Sequence, residues 1–237
     1  MVVAVWSVKG GVGVSSVAAM LALAQVERAE PSVLIDLCGD LPALLGMADL
    51  DVVEAAPGMT DWCKASEPSG PALGRIERDV RNDLTIVARG TGSFPDDATA
   101  LLQVLRESQR HVVVDCGLVT ENDAFRLAMV QGAATSLLVV RECFLNLRAA
   151  QRSPLQPTGV VVLKEPGRQL GRADVEAVTG VPVVAQIAVD ADIARSIDAG
   201  LATARLPRGL LRSMGRVPAA IDELRQSPSV DLAQHAN

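Results

Sequence analysis

The sequence predicts an α/β domain, a mainly parallel sheet with helices on both faces, from three observations. Short runs of β-branched and aliphatic residues alternate with helix-like segments along most of the chain. Apolar residues make up 49% of the 237 positions, enough to cover a sheet on two sides. Aromatic residues are only 2% and tyrosine is absent, so the core must be built from valine, leucine, isoleucine and alanine. Buried parallel strands are made of these residues.

Seven strands are expected, at residues 2–6, 33–37, 84–87, 112–115, 137–140, 160–163 and 183–187, the run at 84–87 carrying the weakest pattern. Helices are expected at 16–28, 97–108 and 173–179. Glycine-rich or proline-rich turns separate them. No internal repeat and no low-complexity linker divides the chain. One domain over residues 1–226 with a loosely held tail at 227–237 is therefore expected.

Composition also bounds function. A protein that reads bases by stacking needs exposed aromatic rings, and this chain has few to spare. The formal charge of −6 gives no global attraction to nucleic acid or anionic lipid. Cys38, Cys63, Cys116 and Cys143 are widely separated and form no C-x-x-C pair. Free thiols in a reducing compartment are expected, not a zinc site or a disulfide framework. Cys116 beside Asp115 has no second cysteine at a spacing that suggests cluster ligation, and His111 and His235 form no constellation. No basic segment precedes an apolar stretch at the N-terminus, so no signal peptide is expected. The longest apolar run, 17–24, is too short to span a bilayer. These features lead to the expectation of a cytoplasmic protein.

The most informative stretch is Val5-Trp6-Ser7-Val8-Lys9-Gly10-Gly11-Val12-Gly13-Val14-Ser15-Ser16. A strand runs into three glycines and then into two hydroxyl residues that open an amphipathic helix, with Val17, Leu21 and Ala24 on its apolar face. Glycines let the backbone wrap closely around phosphates, and a helix start offers unpaired N–H groups and a positive dipole end. The common phosphate-binding pattern is G-x-x-x-x-G-K-[ST]. Here Val14 stands at its lysine position, and a different lysine, Lys9, opens the loop. Ser15 and Ser16 have no His/Asp set beside them in sequence, which leaves a hydrolase triad unsupported.

The run from Lys9 to Gly13 followed by the Ser pair resembles the deviant Walker A loop of the MinD/ParA family. That resemblance implies a three-layer P-loop nucleoside-triphosphatase fold, with ATP and Mg as ligands. It implies that Gly10, Gly11, Gly13, Val14, Ser15 and Ser16 line the phosphates, and that Lys9 reaches a partner subunit's nucleotide across a homodimer. The second strand, ending in Asp36, and the following Leu44-Leu45-Gly46 resemble the family's first switch region. Asp36 matches the first aspartate of a D-x-D pair, and Cys38 occupies the second. Val112-Val113-Val114-Asp115-Cys116-Gly117 resembles the Walker B strand, which gives Asp115, with Ser15, the magnesium side of the site. Where the family often carries an adenine-reading Asn, this chain has Val162-Leu163-Lys164.

Three departures at separate contacts of one ligand imply relaxed selection for ATP hydrolysis. Each lost charge-assisted hydrogen bond is worth roughly 1.5–3 kcal/mol. Hydrolysis would fall further, because water positioning and charge stabilisation supply most of phosphoryl-transfer catalysis. In an ATP-driven alternative, Lys9, Asp36 and Asp40 carry the chemistry, Lys9 and Asp40 covering for the missing groups.

Gly58-Met59-Thr60-Asp61-Trp62 and the segment 190–200 resemble MinD-like proteins of Tad/Flp pilus systems, the CpaE/TadZ type, and their septum-site-like relatives. That branch implies protein partners from a pilus or division machine, while the negative charge and the altered nucleotide site disfavour nucleic acid. Arg195, Arg205, Arg208, Arg212, Arg216 and Arg225 are interspersed with Leu206, Leu210, Leu211, Met214 and Val217. The expected reading is a last helix with a solvated arginine face; the resemblance offers two alternatives, a basic anchor at the inner face of the cell membrane or a DNA-contacting face. Pro207 and Pro218 limit an uninterrupted helix there to about ten residues.

Overall fold

The computed structural model describes residues 1–226, with all side chains except those of Glu54, Asp222, Leu224, Arg225 and Gln226. The expected tail at 227–237, with His235, lies outside the described residues, as does the side chain of Arg225. The chain begins with β1 (Val2–Ser7), α1 (Val14–Val26), β2 (Ser32–Asp36), α2 (Leu41–Leu44), α3 (Leu50–Ala55), α4 (Met59–Cys63) and α5 (Gly70–Ile76). It continues through β3 (Arg78–Arg81), β4 (Leu84–Val87), α6 (Thr99–Glu107), β5 (His111–Leu118), α7 (Ala124–Gly132), β6 (Thr135–Arg141) and α8 (Phe144–Arg152). The last third holds β7 (Gly159–Lys164), α9 (Arg172–Thr179), β8 (Val183–Ala188), α10 (Ala191–Asp198), α11 (Ala202–Arg205), α12 (Arg208–Met214) and α13 (Val217–Gln226).

The strands form one sheet in the order β3-β4-β2-β5-β1-β6-β7-β8, parallel except for β3. All seven expected strands are present. The eighth, β3, escapes a reading based on hydrophobic runs because its four residues are Arg78, Asp79, Val80 and Arg81. It pairs antiparallel at the sheet's edge, where charged residues blunt further pairing.

Alternation along the strands sorts the core into two layers. Val3 and Val5 of β1 face one layer with α1, α2, α12 and α13, while Val2, Ala4 and Trp6 face the other with α6, α7, α8 and α9. Trp6 is fully buried, and its indole N–H donates to the Ser136 hydroxyl at 2.8 Å, so the ring's polar atom is satisfied inside the core.

Helix α1 corrects one expectation. It is buried from Val17 through Gln25 on every side, not amphipathic. The C-terminal helices α11 and α12 close over the flank that a one-sided pattern would leave to solvent. That closure also uses the apolar residues of the arginine-rich segment. Leu206, Leu211, Met214 and Val217 are buried in the core, whereas Arg205, Arg208, Arg212 and Arg216 are exposed. Pro207 caps the start of α12 and Pro218 sits in the first turn of α13, where a missing N–H costs nothing. No helix among the described residues is long and apolar enough to cross a membrane.

Candidate functional site

Strand order builds the site. Although β1 and β2 are consecutive, β5 lies between them, hydrogen-bonded to both. Asp115 of β5 is therefore the register partner of Val5 on one side and of Asp36 on the other. The carboxyl ends of these three strands converge on the loop after β1, the place where parallel sheets bind ligands.

That loop has the conformation its glycines predict. Gly11 and Gly13 have φ of +72° and +99°, a region that side chains with a β-carbon avoid. The Ser7 hydroxyl donates to the Lys9 carbonyl at 2.9 Å and holds the loop's start against β1. Gly13 is the N-cap of α1 and supplies no side-chain cap, which leaves the first N–H groups of the helix free for an anion. Beside them opens a cleft of about 760 Å³, a size suited to a small-molecule ligand. Gly10, Gly11, Gly13, Val14, Ser15 and Ser16 line it together with Asp40. Lys9 is exposed and does not line the cleft of its own chain.

Two of the sequence-predicted residues sit deeper. Asp36 is fully buried, and its Oδ1 accepts from the backbone N–H groups of Cys38 at 2.8 Å and Gly39 at 2.7 Å. Its Oδ2 accepts from Leu41 at 3.2 Å, so this carboxylate anchors the turn that presents Cys38 and Asp40. Asp115 is also fully buried, and its Oδ1 accepts from the Gly117 N–H at 3.0 Å. The Ser15 hydroxyl is near enough to favour the charged form of Asp115, yet Oδ2 completes no hydrogen bond of ordinary geometry. Burial, and then the charge of Asp36, push the Asp115 carboxyl up to about 7. Burial raises Asp36 too, against the three backbone N–H groups that favour its charge.

Val14 is 7% exposed and packs into the core layer of α1, so the first helical residue projects no charge into the cleft. Leu163 is buried against the loop itself, where a β-carbon on Gly13 would stand 2.8 Å from its Cδ1. The lining that sequence reasoning missed comes from β5 and α7. Arg126 faces the cleft, paired with Asp123 at 2.8 Å and donating to the Leu37 carbonyl at 2.5 Å, with its Nε buried and unpaired. The Asp-x-x-Arg spacing across a helix start was the available signal.

The two secondary motifs have structural work. Gly58 packs against Gly90 so closely that a β-carbon would collide with the Gly90 nitrogen, and its N–H donates to Asp61 at 2.8 Å. Asp190 caps α10, which brings Ile197 and Asp198 to the cleft, and Gly200 packs against the Gly46 backbone. The first switch-like loop is thereby tied to the C-terminal third of the chain.

The sheet order, the loop after β1 and the cleft at the strand ends define a P-loop nucleoside-triphosphatase fold of the MinD/ParA kind. The cell division ATPase MinD of Pyrococcus furiosus superposes with a TM-score of 0.72 at 18% identity, covering 94% of this chain and 98% of that one. The septum site-determining protein MinD of Pyrococcus horikoshii OT3, complexed with Mg-ADP, gives a TM-score of 0.71 at 16% identity, covering 95% and 97%. A ParA family ATPase of Chlorobium tepidum TLS gives a TM-score of 0.68 at 15% identity, covering 92% and 97%. No protein-family model and no curated protein sequence matches the chain.

The donor set fits ATP and Mg in part. Backbone N–H groups of the glycine loop and the helix start suit phosphate, and Ser15 with the unpaired Asp115 Oδ2 suits a hard cation. The buried Val14 side chain does not fit a site that must grip a triphosphate.

Proposed function

We propose that this chain is a MinD/ParA-fold positioning and interaction protein whose cleft holds ATP and Mg weakly and turns ATP over slowly or not at all. In this reading it acts as a homodimer and places a Tad/Flp pilus or a division machine. The observation that carries the reading is the charge of the cleft. Among the described residues its walls bring Asp40, Asp123 and Asp198 against a single base, Arg126, which is already paired with Asp123. A triphosphate needs the opposite balance. The backbone of Gly10–Gly13 and the hydroxyls of Ser15 and Ser16 would hold the phosphates, and Ser15 with Asp115 would hold Mg, which screens phosphate charge when bound. Cys38 supplies no carboxylate to orient an attacking water, so turnover lacks a group that binding does not need.

Calorimetry with ATP–Mg and a phosphate-release assay test this reading. Weak binding and negligible turnover support it; robust hydrolysis abolished by Lys9→Ala overturns it.

A second reading, an ATP-dependent dimerisation switch in chromosome or plasmid partitioning, is favoured by one observation. Arg126 lines the cleft and keeps a buried, unpaired Nε, which puts a cation near the site despite Val14. If Arg126→Ala removes ATP binding that wild type shows at micromolar concentration, that reading replaces the first.

A further inference from the structure

At the inner end of the cleft Asp115, placed beside Mg above, meets two further ligand-bearing side chains, Asp36 and Cys38. Asp36, Cys38 and Asp115 each offer one ligand atom, and these atoms lie within 4.8 Å of one another. Both carboxylates are fully buried. Cys38 Sγ lies 3.6 Å from Asp115 Oδ1 and the same distance from the Asp115 carbonyl oxygen. A tetrahedral zinc with bonds of about 2.3 Å to sulfur and about 2.1 Å to oxygen separates those two atoms by about 3.6 Å.

We propose that Asp36, Cys38 and Asp115 form a binding site for a thiophilic divalent cation of the zinc class. Two observations beyond the cluster support it. Asp115 Oδ2 is a buried carboxylate oxygen with no hydrogen bond, an expensive condition unless a cation or proton meets it. The supporting backbone is also arranged around the ligands. N–H groups of Cys38 and Gly39 orient Asp36, and that of Gly117 orients Asp115. Gly117, at φ +59°, leaves room for the sulfur where a β-carbon would collide with it. Such outer-shell contacts fix ligands in working metal sites.

The chemistry selects the cation. Sulfur favours zinc, cobalt or cadmium over magnesium, while the two carboxylates supply the negative charge that a divalent ion needs. Binding replaces the thiol proton, which leaves to solvent, by a sulfur–metal bond. The cation arrives through the cleft, which Cys38 and Ser15 both line, and a water or the Ser15 hydroxyl completes four-coordination. The site shares Asp115 with the Mg position of the proposed function but needs no ATP, so cation binding by the protein alone tests it separately.

The test is titration of tag-free, chelator-treated protein with Co²⁺ alone, read by absorbance. One equivalent is expected to produce a thiolate-to-cobalt charge-transfer band. The band is expected to vanish in Cys38→Ser and Cys38→Ala and to persist in Cys63→Ala and Cys143→Ala. Zn²⁺ is expected to displace the cobalt, whereas a large excess of Mg²⁺ leaves the band in place. Asp115→Asn is expected to weaken binding beyond the roughly 10–100-fold carried by outer-shell partners. Absence of the band at saturating cobalt, its persistence in Cys38→Ala, or its loss to Mg²⁺ would each overturn the proposal.

Discussion

Leu163 Cδ1 occupies the space that a β-carbon on Gly13 would need, 2.8 Å from its ideal position, so β7 and the glycine loop are packed into direct contact. The side chain at the position where the family resemblance expects adenine recognition thus supports the phosphate loop.

The first prediction follows from that contact. Gly13→Ala forces a β-carbon onto a residue at φ +99° and is expected to cost about 1–2 kcal/mol of stability. The side-chain contact adds to this only as far as Leu163 cannot turn away. The double variant Gly13→Ala with Leu163→Ala is therefore expected to lose less than the sum of the singles in urea melts. Strict additivity would show that the backbone alone sets the cost.

A second prediction concerns repair of the cleft. Val14→Lys is expected to tighten ATP by roughly 1.5–3 kcal/mol, about tenfold to a hundredfold. It is not expected to restore turnover, because only contacts stronger in the transition state raise the rate. Adding Cys38→Asp should raise phosphate release above either single change. A double variant as inert as wild type would mean that the deficit extends past these two positions.

Oligomeric state gives a third. With Lys9 exposed and outside the lining of its own cleft, the face carrying it and residues 38–46 is expected to form a homodimer with little need for ATP. Sedimentation should find a dimer with and without ATP–Mg, weakened by Lys9→Glu. A monomer under both conditions would remove the idea.

The fourth concerns the arginines beyond Ala202. Their neighbouring apolar residues Leu206, Leu211 and Met214 are buried in the core and offer no free face to a bilayer. Pelleting with anionic liposomes is expected to be slight at about 0.15 M salt, where the Debye length is about 8 Å. Salt-resistant pelleting that disappears on truncation after Leu201 would favour the anchor instead.

The fifth is a pH effect at the sheet's edge. Burial alone would raise the Glu77 carboxyl, but hydrogen bonds from Arg110 at 2.6 and 2.7 Å and from Thr85 at 2.9 Å outweigh it and lower the pKa below 4.5. A carboxylate with a depressed folded-state pKa contributes stability above its unfolded value, lost as pH falls through the folded one. Wild type should thus lose stability below about pH 4.5 more steeply than Glu77→Gln. The difference is expected near 1 kcal/mol, since Arg110 is about a third exposed and screened.

Local patterns in the chain carry most of the architecture. Seven strands are legible because buried parallel strands require unbroken aliphatic runs, and β3 is not because charge, not apolarity, suits an edge. The loop from Lys9 to Ser16 is legible because its glycines and its absent lysine are contiguous. The burial of α1 on all sides was decided by α11 and α12, nearly two hundred residues away. The cysteine spacing likewise gives no hint of a metal-ligand set, since the partners of Cys38 are carboxylates and one of them lies 77 residues distant. Only the insertion of β5 between β1 and β2 puts Asp36 and Asp115 in register and carries Cys38 over Gly117. Strand pairing is set by non-local hydrogen bonds and by packing of both sheet faces, which no window of sequence contains. The same crossover brings Arg126 to the cleft beside the acids that leave it poor in positive charge.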